Sequence, residues 1–214
     1  RTGVTQNVRD IASFMDLGEV NPHLAMLRGG NQTELPSNGS NQLYQLLQQR
    51  QSARNQSTAT QTLIALGLQE GQDFQRSTMR QLNASEFTFN PKLGYISLNT
   101  QVNADDVIAV AYRYTYNGQV YQVGEFAEEV PPEDQNAKVM YMKLLKGTSA
   151  RPKLPIWNLM MKNIYSLGST NISAEKFSLN VMYLDPGGGR KRYLPEGPYE
   201  GEPLIRLLNL DRLN

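Results

Sequence analysis

Hydrophobic and polar residues alternate most regularly from Val107 to Val123, on both sides of an Asn117-Gly118 pair. Asn-Gly accommodates the positive φ angles of a two-residue type I′ turn, so this pattern predicts a β-hairpin. The turn fixes the cross-strand pairs Tyr116–Gln119, Thr115–Val120, Tyr114–Tyr121 and Tyr112–Val123. One face of the hairpin is then aromatic and aliphatic, and so large an apolar patch is expected to be core. The predicted core residues are Tyr112, Tyr114, Tyr121 and Val123.

A period of two continues on either side of this hairpin, after a change from a helical period near Glu86. Further strands are predicted at residues 87–89, 93–98, 138–145 and 177–183. The run from Asp185 to Gly189 is rich in Pro and Gly and predicts a turn that returns the chain through residues 190–194.

Helical spacing of apolar residues marks the N-terminal third. It predicts a short helix within residues 4–17, ended by Gly18, and two more at residues 41–51 and 58–66. The polar stretch 51–57 between the last two is interpreted as a mobile linker. Another amphipathic helix is predicted from Ile156 to Gly168, and residues 204–213 are predicted as a strand or a short helix.

Together these elements predict an α+β fold. We expect mainly an antiparallel sheet or sandwich from about residue 86, with short helices from the N-terminal third packed on it. Residues 1–85 would form the helical and loop-rich part and residues 86–214 the β-rich part of one structural unit.

The composition is that of an ordinary globular protein, with 21 basic and 20 acidic side chains among 214 residues. Such balanced charge provides no long-range field for nucleic acid. The chain has no cysteine, which excludes disulfides, Cys-ligated metals and thiol nucleophiles. No apolar run is long enough to span a bilayer as a helix. Because the chain starts without Met and is apolar almost to its last residue, we expect it to be a segment of a longer polypeptide.

Residues capable of catalysis are scarce. The only histidine, His23, follows Asn21-Pro22 in a predicted loop, and it would have to support any catalytic triad alone. The acidic pairs are expected to be solvated rather than paired for catalysis. They are Asp105-Asp106, Glu128-Glu129 and Glu133-Asp134. A calcium site in the loop 125–134 has the necessary oxygen ligands but lacks a spaced ligand pattern. The sequence therefore assigns no catalytic, cofactor-binding or metal residue.

Two other motifs favour structure over ligand binding. Residues 186–192 combine three glycines with three basic residues, but they lack the Gly-Lys-Ser/Thr opening of a helix that a phosphate loop needs. We interpret them as a hairpin tip. The tyrosines of residues 112–121 lie at strand spacing. Tyrosines at this spacing more commonly pack across strands than stack on bases or sugars.

Several runs resemble the SprA/Sov family of giant outer-membrane proteins. They are FTFNPKLGYISLN (87–99), DVIAVAY (106–112), VYQVGEF (120–126), LPIWNLMMKNIYSLG (154–168), YLPEG (193–197) and LLNLDRLN (207–214). The likeness covers most of the chain and is weakest across residues 28–81.

The resemblance implies a role in the outer-membrane translocon of the type IX secretion system, which also serves gliding motility in some members. This segment would be a soluble, non-enzymatic module of that translocon at the outer membrane or cell surface, with the extracellular side favoured over the periplasmic side. It would shape the pore cap or vestibule, with the rest of the translocon chain, secreted cargo and accessory subunits as partners. The alternative is a secreted carbohydrate-binding β-sandwich, in which exposed Tyr112, Tyr114, Tyr121 and Trp157 would stack on sugar rings. An enzyme is the third hypothesis.

Overall fold

A computed structural model describes residues 8–29, 34–131, 138–148, 151–161, 173, 175, 177–185 and 187–211. The helices of this part are α1 (Leu43–Gln48), α2 (Gln51–Arg54), α3 (Ala59–Ala65) and α4 (Leu204–Leu207). The strands are β1 (Val8–Phe14), β2 (Phe74–Arg80), β3 (Phe87–Asn90), β4 (Tyr95–Leu98), β5 (Ile108–Val110), β6 (Tyr112–Tyr116), β7 (Gln119–Val123), β8 (Met140–Lys146), β9 (Tyr183–Asp185) and β10 (Gly189–Lys191).

The chain divides into two compact units, Arg1–Met160 and Met161–Asn214. The boundary between the units follows a short 3₁₀ helix, Pro155–Leu159. The helix predicted from Ile156 to Gly168 is therefore a single 3₁₀ turn that gives way to extended backbone at Met160, and residues 162–168 of that prediction lie outside the described part.

The first unit is built on a four-stranded sheet in the order β2-β1-β8-β5. Strand β1 is antiparallel to β2 and parallel to β8, and β8 is antiparallel to β5. The pairs β3–β4 and β6–β7 are separate two-stranded hairpins. The predicted α+β class, with mostly antiparallel pairing, is confirmed. Two of the four central strands, however, come from before residue 86.

The predicted helix within residues 4–17 is wrong: Val8–Phe14 is strand β1. The spacing of Val8, Ile11, Ala12 and Met15 is the same as that of residues on one face of a helix. As an inner strand between β2 and β8, β1 has its C-terminal half buried on both sides. A strand covered on both sides does not alternate apolar and polar residues, so periodicity cannot distinguish it from a buried helix.

Helices α1 to α3 cover one face of the sheet. Their buried residues join Phe14, Phe74 and Tyr141 in the main hydrophobic core. The predicted helices at residues 41–51 and 58–66 are confirmed, with shorter bounds. The predicted mobile linker at residues 51–57 is wrong, because residues 51–54 form helix α2, which buries Ala53 completely.

The β6–β7 hairpin has the predicted register at every pair. Its turn residues Asn117 and Gly118 have φ angles of 49° and 76°, as a type I′ turn requires. The predicted burial is wrong, however, for all but one residue: Val123 is fully buried, whereas Tyr112 is 37% exposed and Tyr114 and Tyr121 are half-buried. The hairpin pairs with itself instead of joining the central sheet, so its aromatic face receives only partial cover.

Gly18 brings the chain after β1 close to this hairpin. A Cβ atom here would lie 2.6 Å from Val123 Cγ1, and the φ of Gly18 is +78°. Gly71 has nearly the same φ, +77°, but a Cβ atom at Gly71 would have no neighbour within 4 Å. Substitutions at Gly18 and Gly71 therefore separate the energetic cost of backbone strain from the cost of a steric collision.

We expect Gly71→Ala to lower the free energy of unfolding by about 1 kcal/mol through strain alone. Gly18→Ala should cost about 1–3 kcal/mol more, because the added methyl overpacks Val123. Urea unfolding measures both. In a double-mutant cycle, Gly18→Ala combined with Val123→Ala should cost less than the sum of the single changes; strict additivity would show that the methyl group does not meet Val123.

The second unit contains a small hairpin, β9–β10, a bridge between Tyr193 and Pro203, and helix α4. The turn predicted at residues 185–189 is confirmed, since Gly189 pairs with Asp185. The strand predicted at 177–183 is wrong except at its end, because only Tyr183–Asp185 is strand. The ambiguity at residues 204–213 is resolved in favour of a short helix.

This unit has no buried residue in the part that the structure describes. Nine of its large apolar side chains are exposed. They are Met161, Phe177, Leu179, Met182, Tyr183, Leu184, Tyr193, Tyr199 and Leu208, with exposures from 40% to 69%. The described part of this unit therefore buries little apolar surface of its own.

Candidate functional site

An open groove of about 1330 Å³ lies in the first unit. One wall is the outer edge of strand β7 with the hairpin turn. The other is formed by the loop 34–39 and helix α1, and Arg54, Glu125, residues 129–131 and Lys138 complete the lining. The lining side chains are mainly amides, carboxylates and tyrosines: Asn38, Gln48, Gln119, Gln122, Glu34, Glu125, Glu129, Tyr44, Tyr116 and Tyr121.

Tyrosine rings form a ladder beside this groove. Tyr114 stacks on Tyr112 and on Tyr121, with ring centroids 6.2 Å and 5.3 Å apart and planes within 26° and 20°. The Tyr114 hydroxyl donates to the carbonyl of Pro36 at 2.8 Å. This bond ties the hairpin to the loop that forms the opposite wall.

Glu125 is the most buried residue of the lining, with 2% exposure. Its carboxylate pairs with the Arg54 guanidinium through both oxygens, with Nη1 to Oε2 at 2.6 Å. The Tyr44 hydroxyl and the Tyr141 amide also donate to it, each at 2.9 Å. The guanidinium carbon of Arg54 lies 3.9 Å from the Tyr141 ring centroid. A buried carboxylate with four donors is held in fixed geometry, with both of its oxygens engaged.

The phenols around this pair are held in the neutral form. Burial, and then the Glu125 charge, raise the pKa of Tyr44 to about 12. Burial also raises the pKa of Tyr141, whose buried hydroxyl has no hydrogen-bond partner in the described part. On the hairpin, burial raises the pKa of Tyr112 to about 12.

These shifts predict a loss of stability at alkaline pH. A phenol whose pKa rises on folding stabilises the folded state fully below pH 10, its ordinary value, and this contribution disappears as the pH approaches 12. Lys143 has the opposite effect, because burial lowers its pKa and its deprotonation at alkaline pH favours the folded state. It is one group against several phenols. We expect the free energy of unfolding to fall between pH 10 and pH 12 in urea titrations. Tyr44→Phe should make that fall less steep, whereas the exposed Tyr116→Phe should not; an equal effect of both would contradict the assignment.

The structure keeps the candidate chemical residues apart. His23 is exposed, and its backbone amide donates to Asp16 Oδ1 at 2.9 Å. Asp106 caps its own loop by accepting the Asn103 amide at 2.8 Å. Glu129 pairs with Arg113 at 2.9 Å and accepts from Gln122 at 2.7 Å. The pair Glu133-Asp134 lies outside the described residues, so the calcium hypothesis for loop 125–134 retains only Glu125, Glu128 and Glu129, of which Glu125 is bound to Arg54. No cluster of three or more metal-ligating side chains occurs among the described residues.

The glycine-rich basic motif and Trp157 lie in different units of the chain. Residues 187 and 188 form the exposed turn of the β9–β10 hairpin, and Arg190 and Lys191 follow in strand β10, so the hairpin predicted here is confirmed. Trp157 is half-buried in the 3₁₀ turn of the first unit. Within the described residues, no helix has the length and apolar character needed to cross a membrane.

Sequence reasoning missed the centre of the groove. Arg54 and Glu125 are 71 positions apart, and no motif connects them. Arg54 lies in a stretch interpreted as a linker and Glu125 in a predicted acidic loop. A single sequence gives no signal that brings two such residues together.

Neither the known protein families nor the curated proteins give a match to this chain.

Proposed function

We propose that this chain is a non-enzymatic module of the outer-membrane translocon of the type IX secretion system, acting in protein export and, in some organisms, gliding motility. The resemblance of residues 87–99, 106–112, 120–126 and 154–168 to the SprA/Sov family suggests the parent protein. The module would help to shape the cap or vestibule of the pore, on the extracellular side, and contact the rest of the translocon, its accessory subunits or its cargo.

The observation that carries this proposal is the exposed apolar surface of the second unit. Side chains such as Leu184, which is 69% exposed, and Tyr199, which is 61% exposed, lose free energy when other protein covers them. A module embedded in a larger assembly supplies that cover. The groove of the first unit agrees with a binding role, because its charged side chains other than Glu34 are engaged in the described part and do not converge on an open reaction centre.

The test places Leu184→Ser in the full-length parent and measures export of type IX cargo. Arg190→Ser is the matched control, because Arg190 lies directly opposite Leu184 in the β9–β10 hairpin. We expect export to fall for Leu184→Ser and to stay normal for Arg190→Ser, with both 214-residue chains unfolding as the parent sequence does. Normal export from both variants would count against an assembly role for this surface.

Carbohydrate binding is a second candidate function, favoured by the partial exposure of the tyrosine ladder. Half-buried, near-parallel tyrosine rings keep the stacking surface that full burial would have removed. Titration of the chain with soluble oligosaccharides tests this candidate. Binding that is lost in Tyr112→Ala, with the fold intact, would support it over the translocon module.

A further inference from the structure

The register of the β6–β7 hairpin determines which backbone groups line the groove. In a hairpin with a two-residue turn, Tyr116–Gln119 is a hydrogen-bonded pair, and such pairs alternate with non-hydrogen-bonded ones. Thr115–Val120 and Arg113–Gln122 are therefore non-hydrogen-bonded pairs. The amide and carbonyl groups of Val120 and Gln122 point away from β6, towards the groove.

One of these outward groups already has a partner from the opposite wall. The Asn38 amide donates to the Gln122 carbonyl at 2.7 Å. The Asn38 side chain also accepts from the Gly124 amide at 2.8 Å and donates to its carbonyl at 3.1 Å. The loop thus begins a third strand beside β7 and then leaves it. Towards the turn, Val120 is 63% exposed, and its backbone has no partner among the described residues.

The charges around this edge are paired except at one position. Arg54 neutralises Glu125, and Arg113 neutralises Glu129. Lys138 is engaged as well. Glu34 is exposed and forms no ion pair or hydrogen bond in the described part. An occupant of the groove that carries a positive charge near Glu34 would complement it.

We propose that the groove binds an extended polypeptide segment as an additional strand along the outer edge of β7, with a Lys or Arg side chain of that segment near Glu34. Open backbone donors and acceptors beside pockets for alternate side chains are the means by which sheet edges recognise peptides. A sugar would use the tyrosine rings but not the Val120 backbone. The inference deepens the proposed function and rests on it for the class of partner: a polypeptide that the translocon handles or assembles with.

The experiment selects peptides from a random dodecapeptide display library on the 214-residue chain and measures their binding to two proline variants. Val120→Pro removes the amide that points into the groove. Thr115→Pro is the matched control, because Thr115 is its cross-strand partner and its amide points out of the opposite edge. Neither amide belongs to the hairpin ladder, and proline is tolerated at such edge positions. Thermal unfolding checks that both variants are folded.

We expect enriched peptides that contain Lys or Arg among β-forming residues. Their affinity should fall roughly tenfold in Val120→Pro, as expected for a lost backbone hydrogen bond with its neighbouring contacts, and stay unchanged in Thr115→Pro. Glu34→Gln should weaken the same peptides, and Glu128→Gln, an exposed control outside the lining, should not. Failure to enrich any peptide sensitive to Val120→Pro, or equal losses in both proline variants, would overturn the inference. Export assays distinguish the two proposals: export that depends on Leu184 but not on Val120 leaves the module proposal intact and removes the groove proposal.

Discussion

Arg54→Ala should lower the free energy of unfolding by about 3–5 kcal/mol, because it leaves the Glu125 carboxylate buried without its counter-ion. Glu125 is 2% exposed, so its carboxylate depends on donors from the protein. The change also removes the hydrogen bond from Arg54 to the Val139 carbonyl and the cation–π contact with Tyr141. Urea unfolding gives the measurement.

Two comparisons make this prediction specific. Arg113→Ala breaks a pair of similar composition whose side chains are 51% and 38% exposed, and it should cost less than about 1 kcal/mol. Replacing both partners, Arg54→Met with Glu125→Leu, should cost less than Arg54→Ala, since no charge remains buried. A small effect of Arg54→Ala would show that Glu125 is accessible to solvent.

Phe74→Ala should have a comparable effect, about 3–5 kcal/mol, because it opens a cavity in the main core. Phe74 is completely buried, and its ring centroid lies 6.1 Å from that of Phe14. Phe89→Ala is the control, since Phe89 also lies in a strand but is 55% exposed; it should change stability by about 0.5 kcal/mol or less. Equal losses from both would contradict the division into core and surface.

Truncating a tyrosine of the hairpin should lower the free energy of unfolding less than its predicted core position implied, because these side chains are partly exposed. As a core residue, Tyr114 would have cost about 3 kcal/mol on truncation to Ala. Its partial exposure and its single hydrogen bond to Pro36 reduce the expected loss to about 1 kcal/mol.

The contrast shows which features local sequence determines here. The Asn117-Gly118 turn specifies its register through backbone conformation alone, so every pair of the hairpin could be predicted. Whether its aromatic face is buried depends on segments distant in sequence. The predicted burial of its three tyrosines was therefore wrong. Strand β1 was mistaken for a helix for the same reason, since its two neighbours, β2 and β8, come from far along the chain.

The groove shows the same limit more strongly. Its edge was implicit in the hairpin register, but its centre joins Arg54 to Glu125 and Tyr44 to Glu125 across 71 and 81 positions. These contacts follow from the packing of helices α1 and α2 beside the end of β7. No spacing in the sequence encodes that arrangement.

Export of type IX cargo by the full-length parent tests the central claim most directly. One set of variants carries His23→Ala or Glu128→Gln, both at exposed positions outside the groove lining, and the other carries Phe74→Asp, which buries an unpaired carboxylate in the core. An architectural, non-enzymatic module predicts near-normal export from the first set and lost export from Phe74→Asp. Lost export from the histidine or glutamate variants, folded and present in the outer membrane, with export retained by Phe74→Asp, would contradict it.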